Sequence, residues 1–214
     1  MTLNTMIKKL ISFLLVIFVA TASFYMPQPV QAAVTSVKPL SARSAVIYDI
    51  SNRKILYSKK RNVKRYPAST TKVMTALVVL DHLKLDDTIR VGVNTDHISP
   101  TKIYVKKGEV FKVKDLIRAI LIKSANDVAT VFAYHISGSE RNFAKLMNEK
   151  ARQIGAKNTK FINPHGLPGK GQYTTSYDLA LIMKEARKYP FIMKTMATKN
   201  TVIKNTRGKR YYLK

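Results

Sequence analysis

No cysteine occurs in the 214 residues. That excludes disulfides, a thiol nucleophile and any thiolate metal site, so an exported chain of this kind must rely on a buried core. With 46% hydrophobic residues it has the material for one. Acidic residues are scarce, 12 against 38 Lys and Arg, which leaves a formal net charge of +26. The basic residues are spread along the chain rather than massed in a tail. A field of that sign draws a protein to polyanions such as anionic wall polymers or a membrane surface, although a lysine-rich solvated surface has the same composition. No nucleic acid is expected as a partner, because no interleaved aromatic–basic motif of the stacking kind is present. The four histidines, His82, His97, His135 and His165, include no helical i,i+4 pair, so the zinc pattern is missing. No Gly-x-Ser-x-Gly elbow is present, which argues against a Ser-His-Asp hydrolase. There is no internal repeat, and the length fits one domain.

Long apolar runs are missing too, with one exception at the start. Lys8 and Lys9 precede the apolar stretch Leu10–Ala22, Pro27 and Pro29 interrupt any helix, and Val30-Gln31-Ala32 offers small residues before Ala33. Residues 1–32 read as a secretory signal peptide cleaved near Ala32, which implies export to the cell envelope. The alternative is an uncleaved anchor helix, but the run falls short of the ~20 residues of a membrane span.

Beyond it, Ala42–Ser58 alternates as two strands about a turn at Asp49–Lys54, with Val46, Tyr48, Ile55 and Tyr57 as packed positions. Helices are expected over Thr70–Leu83, Val113–Leu121, Val128–Ile136, Glu140–Ile154 and Leu179–Lys188, with Gly138 and Gly155 as stops. Thr88–Val93 and Ile103–Val110 read as a short strand and a weakly alternating turn region, and Phe191–Ala197 is ambiguous. Thr175-Ser176-Tyr177-Asp178 looks like a capping box. Thr201–Lys204 and Arg210–Lys214 start strands again. The order is strands, a helical middle, then strands, an α+β pattern.

Ser-x-x-Lys occurs three times, and context separates the copies. Ser51–Lys54 lies between two alternating runs, so it is a hairpin turn. Ser99 is followed by Pro100 and reads as an N-cap in a loop. Only Ser69 and Lys72, in Tyr66-Pro67-Ala68-Ser69-Thr70-Thr71-Lys72, run into apolar residues at helical spacing: Val73, Met74, Leu77, Val78 and Leu80. That puts a hydroxyl and an amine one turn apart at a helix start, where free N–H groups suit a developing oxyanion. A serine needs a base to become a nucleophile, and a lysine with a lowered pKa can be that base. The competing reading is an N-cap serine beside a surface lysine. A second cluster, Ser124-Ala125-Asn126, falls between two apolar helices. It can point a hydroxyl and an amide into a cleft, or it can simply cap the following helix.

Tyr66–Lys72, then Leu121–Asp127, then Asn163-Pro164-His165-Gly166-Leu167-Pro168, resembles the low-molecular-mass penicillin-binding proteins, and more closely the serine-type D-Ala-D-Ala carboxypeptidases. The separation of Ser69 and Ser124, the hairpin Ser44–Ser58, Lys107-Gly108-Glu109 and Tyr173-Thr174-Thr175 are similar as well. The resemblance implies a β-lactamase/transpeptidase-like fold over 33–214. It implies that Ser69 attacks the carbonyl between the two terminal D-alanines of a peptidoglycan stem peptide and that Lys72 accepts its proton. Ser124 would pass a proton to the leaving D-alanine, and Asn126 would hold the acyl side's amide. The Ser69 N–H would be one oxyanion donor. β-Lactam antibiotics would acylate the same serine, with no metal or organic cofactor.

The family's third motif, Lys-Thr-Gly, does not occur, nor does Lys-Ser-Gly or His-Thr-Gly. The expectation is an incomplete catalytic domain, truncated before that strand, lacking one oxyanion donor and nearly inactive as written. Two other readings remain beside it. A class A β-lactamase would need Glu-x-x-Leu-Asn, which is absent. An inactive, secreted, basic module that binds the cell wall would use the positive surface alone.

Overall fold

The first hairpin is set by one aspartate. In the computed structural model, which describes Leu40–Lys214, strand β1 (Ala45–Asp49) pairs antiparallel with β2 (Lys54–Lys59), with a register shift between Ile47 and Tyr48. Asp49 accepts the N–H groups of Ser51 (2.9 Å) and Asn52 (3.1 Å) and the Asn52 side chain (2.6 Å), and so folds the turn holding the first Ser-x-x-Lys copy. Val46, Tyr48 and Tyr57 are half-buried, whereas Ile55 is exposed. The expected signal peptide lies outside the described residues.

Helix α1 (Thr71–His82) follows a 3-10 turn, Ala68–Thr70, that Pro67 starts. Thr71 to Val79 are all buried, and α1 packs against four other helices, so apolar residues are needed on every side of it. Those helices are α2 (Val113–Ile122), α3 (Asn126–Ser137), α4 (Glu140–Gln153) and α5 (Ser176–Ala186). Gly138 ends α3 in the left-handed conformation at φ 75°, and Ser139 Oγ caps α4 by accepting the Asn142 N–H at 3.1 Å. The core gathers Met74, Leu77, Phe111, Phe132, Phe143 and Met147 around α1.

Two more ribbons complete the described chain: β3 (Thr88–Arg90) with β4 (Val110–Lys112), and β5 (Thr201–Lys204) with β6 (Arg210–Leu213), both antiparallel. The strands thus pair two by two among the described residues, within an α+β architecture. Glu109 fastens the last ribbon: its carboxylate accepts from Tyr211 Oη (2.6 Å), Lys209 Nζ (3.0 Å) and Asn205 Nδ2 (3.3 Å). Burial together with that carboxylate pushes the Tyr211 hydroxyl up to about 12.

One expectation needs revision, and two open stretches are resolved. Ser99 is not an N-cap, since Pro100–Tyr104 is loop; its carbonyl instead accepts a side-chain donor described below. Ile103–Val105 alternates yet forms no strand, because its N–H groups bond a buried carboxylate rather than a neighbouring strand. The ambiguous stretch is a short helix, α6 (Pro190–Met196), with Pro190 at its first turn. Among the described residues no helix is long and apolar enough to cross a membrane.

Candidate active site

Ser69 sits in the 3-10 turn before α1, exposed, with Ala68 just before it at φ 47°. The turn is tied by Thr70, whose Oγ1 and N–H both donate to the Pro67 carbonyl at 2.5 and 3.3 Å. One turn on, Lys72 is only 2% exposed. Its Nζ donates to the His165 carbonyl at 2.7 Å and lies 3.4 Å from Ser69 Oγ. Burial lowers the Lys72 pKa to about 8. The surface-lysine reading is therefore excluded by its environment.

Ser124 occupies the break between α2 and α3. It holds φ 59°, a strained value for a residue with a Cβ, while Ala125 N–H bonds back to the Ala119 carbonyl. That twist aims Ser124 Oγ at Ser69 Oγ, to which it donates at 2.9 Å. Ser124 does not cap α3; the cap position is Ala125, without a side-chain bond. Ser69 Oγ thus stands between an amine and a hydroxyl, 55 residues and two helices from the latter.

Asn126 is buried, and its two amide hydrogens are both committed: Nδ2 donates to the carbonyls of Ser99 (3.0 Å) and Pro100 (2.9 Å), and its N–H to Thr101 (2.7 Å). Asp127 extends the grip. Fully buried, it accepts from the N–H groups of Ile103 (3.2 Å), Val105 (3.2 Å) and Val128 (3.0 Å). Desolvation raises its pKa against the pull of those bonds. The residues after Ser124 thus fix loop 99–105 beside it.

The third wall is loop 163–168. Successive turns of α1 hold it, Lys72 Nζ at the His165 carbonyl and Thr75 Oγ1 at the Pro164 carbonyl (2.5 Å). Inside the loop, Asn163 Nδ2 donates to the Leu167 carbonyl (3.0 Å) and its Oδ1 accepts from Gly166 N–H (2.8 Å). Gly166 has φ 87°, and a Cβ there would overlap the Ala68 carbonyl and stand 2.8 Å from Thr71 Oγ1. Thr71 Oγ1 is the one buried side-chain polar atom without a hydrogen-bond partner among the described residues. Sequence reasoning named this loop as a string but gave no role to His165, which acts through its backbone oxygen. The signal for Gly166 was its place after His165 in a loop of fixed residues.

An apolar cavity of about 350 Å³ lies elsewhere, lined by Val46, Val73, Leu179, Ile182, Met183 and Met196. It contains neither Ser69, Lys72 nor Ser124, and the polar side chains among its lining are Thr70 and Ser176.

Residues 31–213 match the D-alanyl-D-alanine carboxypeptidase family. The chain is 37% identical over 177 residues to the D-alanyl-D-alanine carboxypeptidase DacF of Bacillus subtilis, covering 80% of this chain and 46% of that protein. It spans about half the length of such curated relatives. Among solved structures it is similar to the D-alanyl-D-alanine carboxypeptidase DacD of Francisella tularensis, with 34% identity and a TM-score of 0.73 over 81% of this chain and 45% of that one. It is also similar to a Listeria monocytogenes penicillin-binding protein solved in an ampicillin-bound form (28% identity, TM-score 0.68, 83% of this chain and 73% of that one). These matches favour neither a class A β-lactamase nor a bare wall-binding module. The chain belongs to the D-alanyl-D-alanine carboxypeptidase family.

Proposed function

We propose that this chain carries the acyl-transfer centre of a serine-type D-Ala-D-Ala carboxypeptidase, acting on peptidoglycan stem peptides and acylated by β-lactams. The observation that carries the reading is Ser69 Oγ held between a buried lysine and a second serine hydroxyl. Ser69 Oγ attacks the carbonyl carbon of the penultimate D-alanine as Lys72 Nζ takes its proton. Ser124 Oγ hands its proton to the nitrogen of the departing D-alanine and takes back the one held by Lys72, and the C–N bond breaks. Water then attacks the Ser69 ester, releasing the shortened peptide and restoring the hydroxyl. The Ser69 N–H at the helix start supports the oxyanion. Asn126 serves the substrate through its carbonyl Oδ1, since its hydrogens hold loop 99–105.

Export through the leader at 1–32 would bring the chain to its substrate, and the net charge of +26 supports contact with anionic wall polymers or the membrane surface.

A fluorescent penicillin tests this. Long incubation should add one label per chain on the Ser69 peptide, and none to Ser69→Ala. Labelling that survives Ser69→Ala, or that never appears in the wild type, sinks the proposal. The labelling rate should also rise with pH and level off above about 8, where Lys72 becomes neutral; a pH-independent rate would exclude Lys72 as the base.

A further inference from the structure

We infer that Glu140 is a positioning residue for Lys72, acting through the ring and carbonyl of His165. The inference rests on the reading of Lys72 as the base. Glu140 opens α4, and its Oε1 accepts from Thr130 Oγ1 on α3 at 2.5 Å. The same oxygen lies 3.4 Å from His165 Nε2. That contact is long, and its polarity is set by the other ring nitrogen. His165 Nδ1 accepts the Leu167 N–H at 3.1 Å, so the neutral ring carries its proton on Nε2, toward Glu140. Burial alone would raise the Glu140 pKa. Hydrogen bonds from His165 and Thr130 outweigh it and hold the carboxyl below its usual range. Glu140 is therefore an anion in contact with His165 and Thr130.

His165 is itself buried, and its backbone oxygen is the one Lys72 Nζ meets at 2.7 Å. A chain of contacts thus runs from α3 and α4, through the loop, to the amine on α1: Thr130, Glu140, His165, Lys72. With Glu140 gone, a buried Nε2–H loses its acceptor, a cost the loop can relieve by swinging the ring toward water. The carbonyl moves with it, and water reaches Nζ. The dry surroundings that lower the Lys72 pKa are then partly lost.

The test is ¹³C NMR titration of lysine-labelled protein, with the Lys72 signal assigned by its loss in Lys72→Met, alongside the pH dependence of penicillin labelling. Glu140→Leu should move the Lys72 titration up by about one pH unit and carry the labelling midpoint with it. Glu140→Gln keeps an acceptor for both Nε2–H and Thr130 and should stay near the wild type. Thr130→Val should shift it in the same direction by less, and it replaces the leucine variant if that one does not fold. A purely structural role would lower the folded fraction without moving the titration. An unmoved Lys72 titration in folded Glu140→Leu, or in Thr130→Val in its place, overturns the inference. So does a glutamine variant that shifts as far as the leucine one. If the wild type never takes up penicillin yet the titration moves, the carboxypeptidase reading falls and the placement of Lys72 by Glu140 stands.

Discussion

Gly166→Ala should destabilise the protein by about 3–5 kcal/mol and remove penicillin labelling. Two penalties combine. An alanine at φ 87° is strained, which by itself costs ~1–2 kcal/mol. The added Cβ also overlaps the Ala68 carbonyl, part of the turn that presents Ser69, and backbone on both sides leaves it nowhere to go. Gly138 supplies the control: its φ is 75°, but a Cβ there meets nothing within 4 Å. Gly138→Ala should pay only the conformational term. Urea denaturation of both variants isolates the overlap as their difference. Equal losses would show that loop 163–168 does not press on the Ser69 turn.

Lys72→Met should reduce the rate of Ser69 acylation by ~100- to 10,000-fold, the usual worth of a general base, while making the protein more stable at pH 7. The sign follows from burial. A lysine at about 8 in the folded chain and 10.5 in the unfolded one binds its proton more weakly when folded. Below pH 8 that difference costs the folded state about 3 kcal/mol, and the cost disappears as pH rises from 8 to 10.5. Methionine fills much the same volume without charge. It forfeits the hydrogen bond to the His165 carbonyl, so the net gain at pH 7 should be about 1–2 kcal/mol. Wild type minus variant, measured by urea denaturation at pH 7 and pH 10, should narrow at the higher pH. A variant less stable than wild type at both would mean that Lys72 serves the fold as well as the chemistry.

The helix that follows Ser69 was legible from spacing alone, because Val73, Met74, Leu77 and Val78 repeat at helical intervals and are buried as expected. The same pattern set aside Ser51 and Ser99, which lie in a hairpin turn and a loop. The inner face of α4, Phe143, Met147 and Ala151, was legible for the same reason. What stayed hidden depends on partners far along the chain. Asn126 spends its amide on carbonyls 26 and 27 residues earlier, which no local pattern encodes. His165 contributes a backbone oxygen, invisible to reasoning from side-chain types. The capping box was half right: Thr175 Oγ1 accepts the Asp178 N–H, but Asp178 bonds Asn158 N–H and Thr159 Oγ1 instead of reaching back. Helix α6 is too short for periodicity, and only Pro190 marked it.

Helix α1 is buried from Thr71 to Val79, with Lys72 in its first turn and Ser69 in the 3-10 turn just before it. A variant selected to escape a β-lactam by reshaping this helix would also have to survive the loss of core packing there, typically 2–5 kcal/mol for a large-to-small change. A protein with a margin of ~5–15 kcal/mol survives few such changes. The neighbouring loop 163–168 offers little relief, since Asn163 and His165 are buried and Gly166 is barred from gaining a Cβ. The space of escape routes is narrow because the proposed base and the centre of the fold share the same three turns of helix.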